Sequence, residues 1–288
     1  MSIEIRNLTH TYMAGGPFER TAIEDVSLTI HDGEFVGLIG HTGSGKSTLI
    51  MHLNGLIKPT SGSIYVDGLD LMDKKTSLKD VRKKVGLVFQ YPEYQLFEET
   101  ILKDVMFGPK NLGLSDQEAE ERARHALRQV GLADESMYEK SPFELSGGQK
   151  RRVAIAGVLA MKPTTLILDE PTAGLDPRGR EEILSLIKRY HEEEKVTLIM
   201  VSHSMTDVSR LCSRILVMDH SRLVMNGTPD EVFMNGDRLM QAGLALPPCA
   251  ELAERLRGAG FDIPADAYRP GELKQAILRS LGRGKSHA

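Results

Sequence analysis

The chain alternates short apolar runs with longer stretches of helical periodicity. Three apolar runs, at residues 165–168, 196–201 and 215–218, lack the polar alternation of half-exposed strands and predict buried parallel strands. We therefore expect an α/β core that opens with an antiparallel β region and is interrupted by a mostly helical stretch at about residues 91–162. The pattern also predicts earlier strands at residues 3–8, 26–30, 34–39, 63–66 and 84–89, and helices at 46–56, 115–130, 147–161 and 178–194.

The pattern changes after residue 227. The part that follows holds five of the 13 prolines, and Thr228 and Glu231 fit a capping box with Pro229 at the first helical position. We therefore predict an α/β domain at residues 1–227 and a helical extension at residues 228–288. Within the extension, two short amphipathic helices are predicted near residues 248–258 and 271–281.

Composition and charge exclude several classes of protein. A chain of 288 residues with 41% apolar content can bury a sizeable core, and its net charge of -4 offers no cationic field for nucleic acid. No apolar run approaches the roughly 20 residues of a membrane-spanning helix, and the first residues do not resemble a secretory signal. The two cysteines, Cys212 and Cys249, form no disulfide framework and no metal-ligand pattern, which is typical of a reducing cytosol.

A glycine-rich segment lies between the strand predicted at residues 34–39 and the helix predicted from Lys46. It fills the pattern G-x-x-x-x-G-K-[ST], in which backbone N–H groups and a helix N-terminus bind phosphate. In such a loop Lys46 reaches the β- and γ-phosphates, and the Ser47 hydroxyl binds Mg²⁺. The alternative is a glycine-rich turn before a helix. The predicted nucleotide-binding residues are Gly40, His41, Thr42, Gly43, Ser44, Gly45, Lys46, Ser47 and Thr48.

Two acidic residues follow the apolar run at residues 165–168. Asp169 and Glu170 are therefore expected at the carboxyl edge of the sheet, where open α/β folds bind their ligands. Asp169 suits Mg²⁺ coordination, and Glu170 suits the role of general base for an attacking water. The alternative is a strand that simply ends in a charged turn.

The run Ser146, Gly147, Gly148 and Gln149 begins a predicted helix. Ser146 and Gln149 fit a capping box, but capping does not explain two glycines in the first turn, each of which costs up to about 1 kcal/mol against alanine. Close approach of a phosphate to bare backbone N–H groups would explain them. Together with the glycine-rich loop and the acidic pair, this run resembles the signature of the ATP-binding-cassette (ABC) ATPases, over about residues 2–227.

The resemblance implies a fold and further site residues. The fold is a P-loop ABC ATPase with an antiparallel β subdomain, a RecA-like core, a helical subdomain and a small C-terminal helical extension. Gln90 would contact Mg²⁺ and the attacking water, His203 the γ-phosphate, and Tyr12, between the first two strands, the adenine ring. An exposed tyrosine beside a turn is the alternative for Tyr12. ATP would lie between two chains, with Ser146, Gly147, Gly148 and Gln149 of one chain closing over the phosphates held by the other.

Residues 12–19, 90–97, 107–113 and 246–256 resemble one subgroup of this family. They are similar to the energy-coupling factor (ECF) transporter ATPases, in particular to the second of that system's two ATPase types. The resemblance implies an ATP-binding and ATP-hydrolysing subunit of an importer for a vitamin or a metal ion, on the cytoplasmic side of the cell membrane. Its partners would be a second ATPase (a paralogue or a second copy), a membrane coupling subunit and a membrane substrate-capture subunit. The C-terminal extension would help to hold the ATPase pair together.

The same resemblance implies a docking groove. Tyr91, Tyr94, Leu96 and Phe97 would line a groove for a helix of the coupling subunit, with Glu93, Glu98 and Glu99 facing its basic residues. Ordinary packing between subdomains is the alternative for this apolar set. Three other functions stay open: an ATPase subunit of a conventional ABC transporter, a soluble ABC ATPase acting on DNA or ribosomes, and a nucleotide-binding regulatory module without turnover.

Overall fold

The computed structural model describes residues 2–284, so the last four residues of the predicted extension lie outside the described residues. Ten strands and eleven α-helices are found in this range. The strands are β1 (Ile3–Tyr12), β2 (Arg20–Ile30), β3 (Phe35–Ile39), β4 (Ser61–Val66), β5 (Leu69–Asp70), β6 (Val85–Val88), β7 (Thr165–Asp169), β8 (Thr197–Val201), β9 (Arg214–Asp219) and β10 (Arg222–Gly227). The helices are α1 (Lys46–Leu53), α2 (Leu78–Lys84), α3 (Ile101–Asn111), α4 (Asp116–Gln129), α5 (Gly147–Leu159), α6 (Pro177–Glu194), α7 (Met205–Leu211), α8 (Pro229–Phe233), α9 (Gly236–Gln241), α10 (Pro248–Gly258) and α11 (Pro270–Gly284).

The six-stranded sheet has the order β10-β9-β3-β8-β7-β6. All of its neighbouring pairs are parallel except β9 and β10, which form an antiparallel hairpin at one edge. Nearly every side chain of β7 and β8 is buried, which confirms the prediction of buried parallel strands. Because β3, β8 and β7 are neighbours, the loops that follow them meet at one edge of the sheet.

The four-stranded sheet is antiparallel, with the order β2-β1-β4-β5. Ile3, Ile5 and Leu8 form the buried face of β1, and this face packs with Leu49 and Ile50 of α1 in one apolar cluster. The predicted antiparallel opening is thus confirmed. β1 and β2 extend further than predicted, because backbone pairing between the two strands continues through polar residues.

The helical stretch contains α3, α4 and α5, which pack against one another. α4 begins with the expected capping box of Ser115 and Glu118. α3 was not predicted in detail, since Pro109 lies inside it and proline usually ends a helix. The helix predicted at residues 46–56 ends earlier, at Leu53, because Gly55 has a positive φ of 67° and ends the helical path.

The C-terminal part, from α8 onward, begins with the expected capping box of Thr228 and Glu231. α10 and α11 match the two predicted amphipathic helices, and they share a small apolar cluster of their own that includes Ala253 and Leu273. Tyr268, just before α11, instead packs with the main core, so the extension is attached to the α/β domain through buried contacts. Within residues 2–284, no helix has both the length and the apolar character that crossing a membrane requires.

Candidate functional site

The glycine-rich loop connects β3 to α1 and curves through three positive φ angles, at Gly40, Gly43 and Gly45. A Cβ atom on Gly40 would lie 2.3 Å from the Met218 carbonyl oxygen, and one on Gly45 would lie 2.3 Å from the carbonyl oxygen of Ala22. Glycine is therefore required at these two positions both by backbone conformation and by close packing. The loop has the strand–loop–helix setting that the sequence predicted for it.

The predicted site residues from several elements line one open cavity of about 450 Å³, a size typical of ligand pockets. Arg20, Ala22 and Val201 also line it, although no motif in the sequence indicates a part for them in the site. Gly40, His41 and Ser44 belong to the loop without lining the cavity. The predicted residues that line it are Tyr12, Thr42, Gly43, Gly45, Lys46, Ser47, Thr48, Gln90, Asp169, Glu170 and His203.

Lys46 is buried at the start of α1, and its ammonium group donates to the carbonyl oxygens of Gly40 (2.5 Å) and His41 (3.0 Å). Burial lowers the pKa of this ammonium, and the nearby carboxylates of Glu170 and Asp169 oppose the shift. A desolvated cation of this kind gains strongly from an anionic ligand.

The acidic pair lies at the end of β7, as expected. Burial raises the pKa of the Asp169 carboxyl group, while Lys46 acts in the opposite direction. Burial is also the main cause that raises the pKa of Glu170 to about 7, with repulsion from Asp169 adding to it. A carboxyl group that titrates near neutral pH is suited to accept a proton during a reaction.

His203 follows β8 and faces the acidic pair. Its Nε2 atom lies 3.3 Å from Oε1 of Glu170, and burial lowers the pKa of the imidazole. Gln90 is exposed two residues beyond β6, whereas the sequence placed it directly at a strand end. Tyr12 is the last residue of β1 rather than part of a connection between strands, and its hydroxyl lies 3.3 Å from Oγ1 of Thr48.

The polar groups of the cavity fit a magnesium–triphosphate ligand. The Glu170 Oε1 atom, which belongs to the cavity, is buried and forms no hydrogen bond among the described residues. Ser47, Gln90 and Asp169 present hydroxyl, amide and carboxylate oxygens, which are the donors that Mg²⁺ prefers. The loop glycines and Lys46 supply the complementary positive side.

The structure does not bring the signature run into this cavity. Ser146 and Gln149 form the expected capping box at the start of α5, and Ser146, Gly147 and Gly148 are all exposed. A Cβ atom on Gly147 or Gly148 would meet no atom within 4 Å, and neither glycine has a positive φ. Nothing within the described part of the chain therefore requires glycine at these two positions.

Arg151, in the first turns of α5, is a buried residue that the sequence did not single out. Its side chain is only 2% exposed, and its guanidinium forms two hydrogen bonds to the Glu93 carboxylate, at 2.7 and 3.0 Å. It also donates to the carbonyl oxygens of Pro171 (3.2 Å) and Ala173 (2.7 Å). Because Arg151 lies in a run of three basic residues, its side chain resembles a solvated one. Its position four residues before the buried Ile155, on the same helix face, is the sequence feature that indicates burial.

A second cavity, of about 660 Å³, forms a groove between α3 and the neighbouring sheet. Of the four residues expected to line a docking groove, Leu96 and Phe97 lie on this groove, whereas Tyr91 and Tyr94 do not. The expectation that Glu93 faces a partner's basic residues is wrong, since Glu93 is paired with Arg151. The apolar residues of the groove include Leu56, Leu87, Leu96, Phe97, Phe107 and Met161, and its charged residues are Lys79, Arg82 and Asp104.

Comparison with known proteins assigns the family. The ABC transporter family profile matches residues 23–173. The energy-coupling factor transporter ATP-binding protein EcfA2 of Clostridium acetobutylicum is 58% identical over 285 residues, which cover 99% of this chain and 100% of that protein.

Solved structures agree with this assignment. The chain is similar to cbiO1 from Clostridium perfringens, described as part of the ABC transporter complex cbiONQ, with a TM-score of 0.73 and 37% identity over 88% of this chain and 98% of that one. It is also similar to the ATP-binding cassette MJ0796 in a dimeric, post-hydrolysis state bound to ADP and phosphate, with a TM-score of 0.70 and 32% identity over 79% of this chain and 98% of that one. With its antiparallel sheet, parallel sheet and phosphate loop, the chain therefore belongs to the ABC transporter ATPases, and among them to the group of energy-coupling factor ATP-binding proteins.

Proposed function

We propose that this ATPase drives an energy-coupling factor importer for a vitamin or a metal ion, from the cytoplasmic side of the cell membrane. The observation that carries the proposal is the cavity in which the phosphate loop, Asp169, Glu170 and His203 meet. The solute itself would be bound by a separate membrane subunit, and a membrane coupling subunit would join that protein to the ATPase pair. The unit that performs ATP hydrolysis is residues 1–227, and residues 228–288 form a dimerisation extension.

The exposed signature run supports a site shared between two chains. Gly147 and Gly148 leave the first N–H groups of α5 bare, and the helix N-terminus adds partial positive charge there. A phosphate held by Lys46 of one chain would then be closed over by Ser146, Gly147 and Gly148 of the facing chain. Hydrolysis accordingly requires a dimer, formed with a paralogue or with a second copy.

The reaction follows from the residues at the end of β7 and β8. Glu170 takes a proton from the attacking water as its oxygen bonds to the γ-phosphorus, while the bond to the β–γ bridging oxygen breaks and ADP and phosphate form. His203 and Gln90 hold the γ-phosphate and the water in line for this attack. Lys46 and the loop N–H groups stabilise the charge that spreads over the phosphate oxygens. Ser47, Gln90 and Asp169 would hold a Mg²⁺ ion, which would supply further positive charge to stabilise the phosphates.

Tyr12 completes the nucleotide site. It lines the cavity with its side chain partly exposed, and its ring packs edge-on against His10 with 4.5 Å between ring centroids. An aromatic ring held in this way offers a face to the adenine base. We therefore assign adenine stacking to Tyr12.

The groove beside α3 supports docking of a coupling helix. Its apolar lining is exposed at Phe97 and Phe107, whose rings pack edge-to-face 4.8 Å apart. Lys79 and Arg82 at its side favour a helix with acidic residues, in contrast to the basic partner expected from the sequence. Glu98 and Glu99 lie outside the lining.

Two variants test the proposal on the ATPase pair. Lys46→Ala should weaken ATP binding, measured by equilibrium titration, because the phosphates lose their buried counter-charge. Glu170→Gln should bind ATP normally and accumulate as a dimer on size-exclusion chromatography, because the nucleotide is not consumed. Unchanged hydrolysis by Glu170→Gln would refute the assignment of the base.

Purification from detergent-solubilised membranes tests the transport role. Co-purifying membrane subunits, including a small solute-binding one, support an energy-coupling factor importer. A conventional set of transporter subunits, or ribosomes or DNA, would refute it in favour of the other functions. Arg82→Glu should reduce recovery of the membrane subunits, with Arg122→Glu on α4, which is outside the groove, as the matched control.

A further inference from the structure

The β9–β10 hairpin brings two histidines and an aspartate together beside the phosphate loop. His41, the second residue of that loop, and His220, in the hairpin turn, both contact the same oxygen of Asp219. The distances to Asp219 Oδ1 are 3.0 Å from His41 Nε2 and 2.7 Å from His220 Nδ1. Atoms of all three side chains that could bind a metal lie within 4.8 Å of one another.

The hydrogen bond of His41 Nδ1 determines whether its Nε2 atom can bind a metal ion. Nδ1 lies 2.8 Å from the carbonyl oxygen of Thr42, and a carbonyl oxygen only accepts, so Nδ1 carries the hydrogen. In a neutral ring Nε2 then presents a lone pair toward the Asp219 carboxylate. Two lone pairs repel at 3.0 Å unless a cation lies between them. An imidazole that donates through one nitrogen to a backbone carbonyl is the usual arrangement of a metal-binding histidine.

The hairpin that carries the other two ligands is held in place. His220 and Ser221 have positive φ angles of 42° and 69°, as a tight two-residue hairpin turn requires. The Ser221 backbone N–H donates to the Ser44 carbonyl oxygen in the phosphate loop (3.2 Å), and the Ser221 hydroxyl donates to the Thr21 carbonyl oxygen (2.9 Å). The backbone that carries Asp219 and His220 is therefore held in a fixed position beside the phosphate loop.

We propose that His41, Asp219 and His220 form a binding site for a divalent transition-metal ion, distinct from the magnesium site of the nucleotide. Two imidazoles and one carboxylate are a ligand set typical of zinc and its first-row neighbours, whereas Mg²⁺ prefers oxygen ligands alone. The His220 side chain is 84% exposed, so it can turn to adjust its distance and leaves a coordination position open to water. Because His41 belongs to the phosphate loop, the ion ties that loop to the hairpin.

The site is tested with cobalt on the full chain without nucleotide. Wild-type protein should bind one equivalent of Co²⁺ with visible absorption bands, and Zn²⁺ should displace it. His41→Gln, and His220→Asn, which tolerates the positive φ of the turn, should each weaken binding at least about tenfold. His125→Ala, at an exposed position on α4, is the matched control and should bind as the wild type does.

A second measurement guards against loss of folding in the variants. Zn²⁺ should raise the melting temperature of the wild type and of the His125→Ala control, and this rise should vanish in the His41 and His220 variants while their circular dichroism is unchanged. Failure of the wild type to bind Co²⁺ would overturn the proposal. Equal binding by both histidine variants would overturn it as well.

Discussion

Replacing Glu170 by glutamine should stabilise the folded protein at high pH while it abolishes ATP hydrolysis. The side chain is only 14% exposed, and its buried Oε1 has no hydrogen-bond partner among the described residues. Burial raises the pKa of the Glu170 carboxyl group from its ordinary value of 4.5 to about 7, so the folded state favours the protonated form. Glutamine has the same shape and stays uncharged at every pH.

The size of the effect follows from this shift. A rise of the pKa from 4.5 to about 7 corresponds to a change of about 3 kcal/mol in the free energy of unfolding. Because folding raises the pKa of this acid, the folded state loses stability relative to the unfolded state as the pH rises. The favourable contribution of the protonated group is complete below pH 4.5 and is lost as the pH rises through about 7. The variant should therefore equal the wild type in stability near pH 4.5 and exceed it by up to about 3 kcal/mol near pH 8.

Urea denaturation followed by circular dichroism measures this difference across the pH range. Glu121→Gln, at an exposed position on α4, is the matched control and should show no comparable rise. A stability difference that stays flat with pH, or a wild type that is the more stable at about pH 8, would refute the reasoning. The same pKa predicts that hydrolysis by the wild type increases as the pH rises through about 7, because the base must lose its proton first.

Three further predictions concern other parts of the chain. Glu93→Ala should lower the free energy of unfolding by about 3 kcal/mol, since it leaves the Arg151 guanidinium buried without its counter-charge; a loss below about 1 kcal/mol in urea denaturation would contradict this. Gly148→Ala should stabilise the chain by up to about 1 kcal/mol yet reduce ATP hydrolysis by the isolated ATPase pair. The control is Gly157→Ala in the same helix, where an added Cβ also meets no atom within 4 Å, and it should stabilise the chain without loss of hydrolysis. His52 has no exposed surface, and burial lowers its pKa to about 4. The free energy of unfolding should therefore fall by up to about 3 kcal/mol as the pH drops from 6.5 toward 4. A His52→Gln variant should not show this loss in the same denaturation assay.

The residues that give the nucleotide cavity its chemistry could be predicted from the sequence, because they lie next to strands and helices whose local patterns are strong. Lys46 follows a glycine-rich loop, and Asp169 and Glu170 follow a run of buried apolar residues. The convergence of Tyr12 and Gln90 on the same cavity is a matter of sheet order, which a single sequence does not encode locally. Their assignment came from the family resemblance instead.

The sequence was less informative where tertiary contacts override local pattern. Arg151 is charged yet nearly inaccessible, because two chain segments that are far apart in the sequence, at Glu93 and at residues 171–173, supply its acceptors. The polar residues at the ends of β1 and β2 predict loops, but hydrogen bonding between the two backbones extends both strands. Glu93 was assigned to a partner surface for the same reason, since its actual neighbour lies 58 residues further along the chain.

The contacts of Arg151 couple parts of the molecule that face different neighbours. The carboxylate it binds follows Gln90 closely, the carbonyl groups it binds directly follow Glu170, and its own helix begins at the signature run. Because Arg151 is hydrogen-bonded to both segments, a rotation of α5 that moves Ser146 must displace the segment after Gln90 and the segment after Glu170 together. On the proposed function, the approach of a second chain to Ser146 would therefore be transmitted to both segments through this one buried side chain.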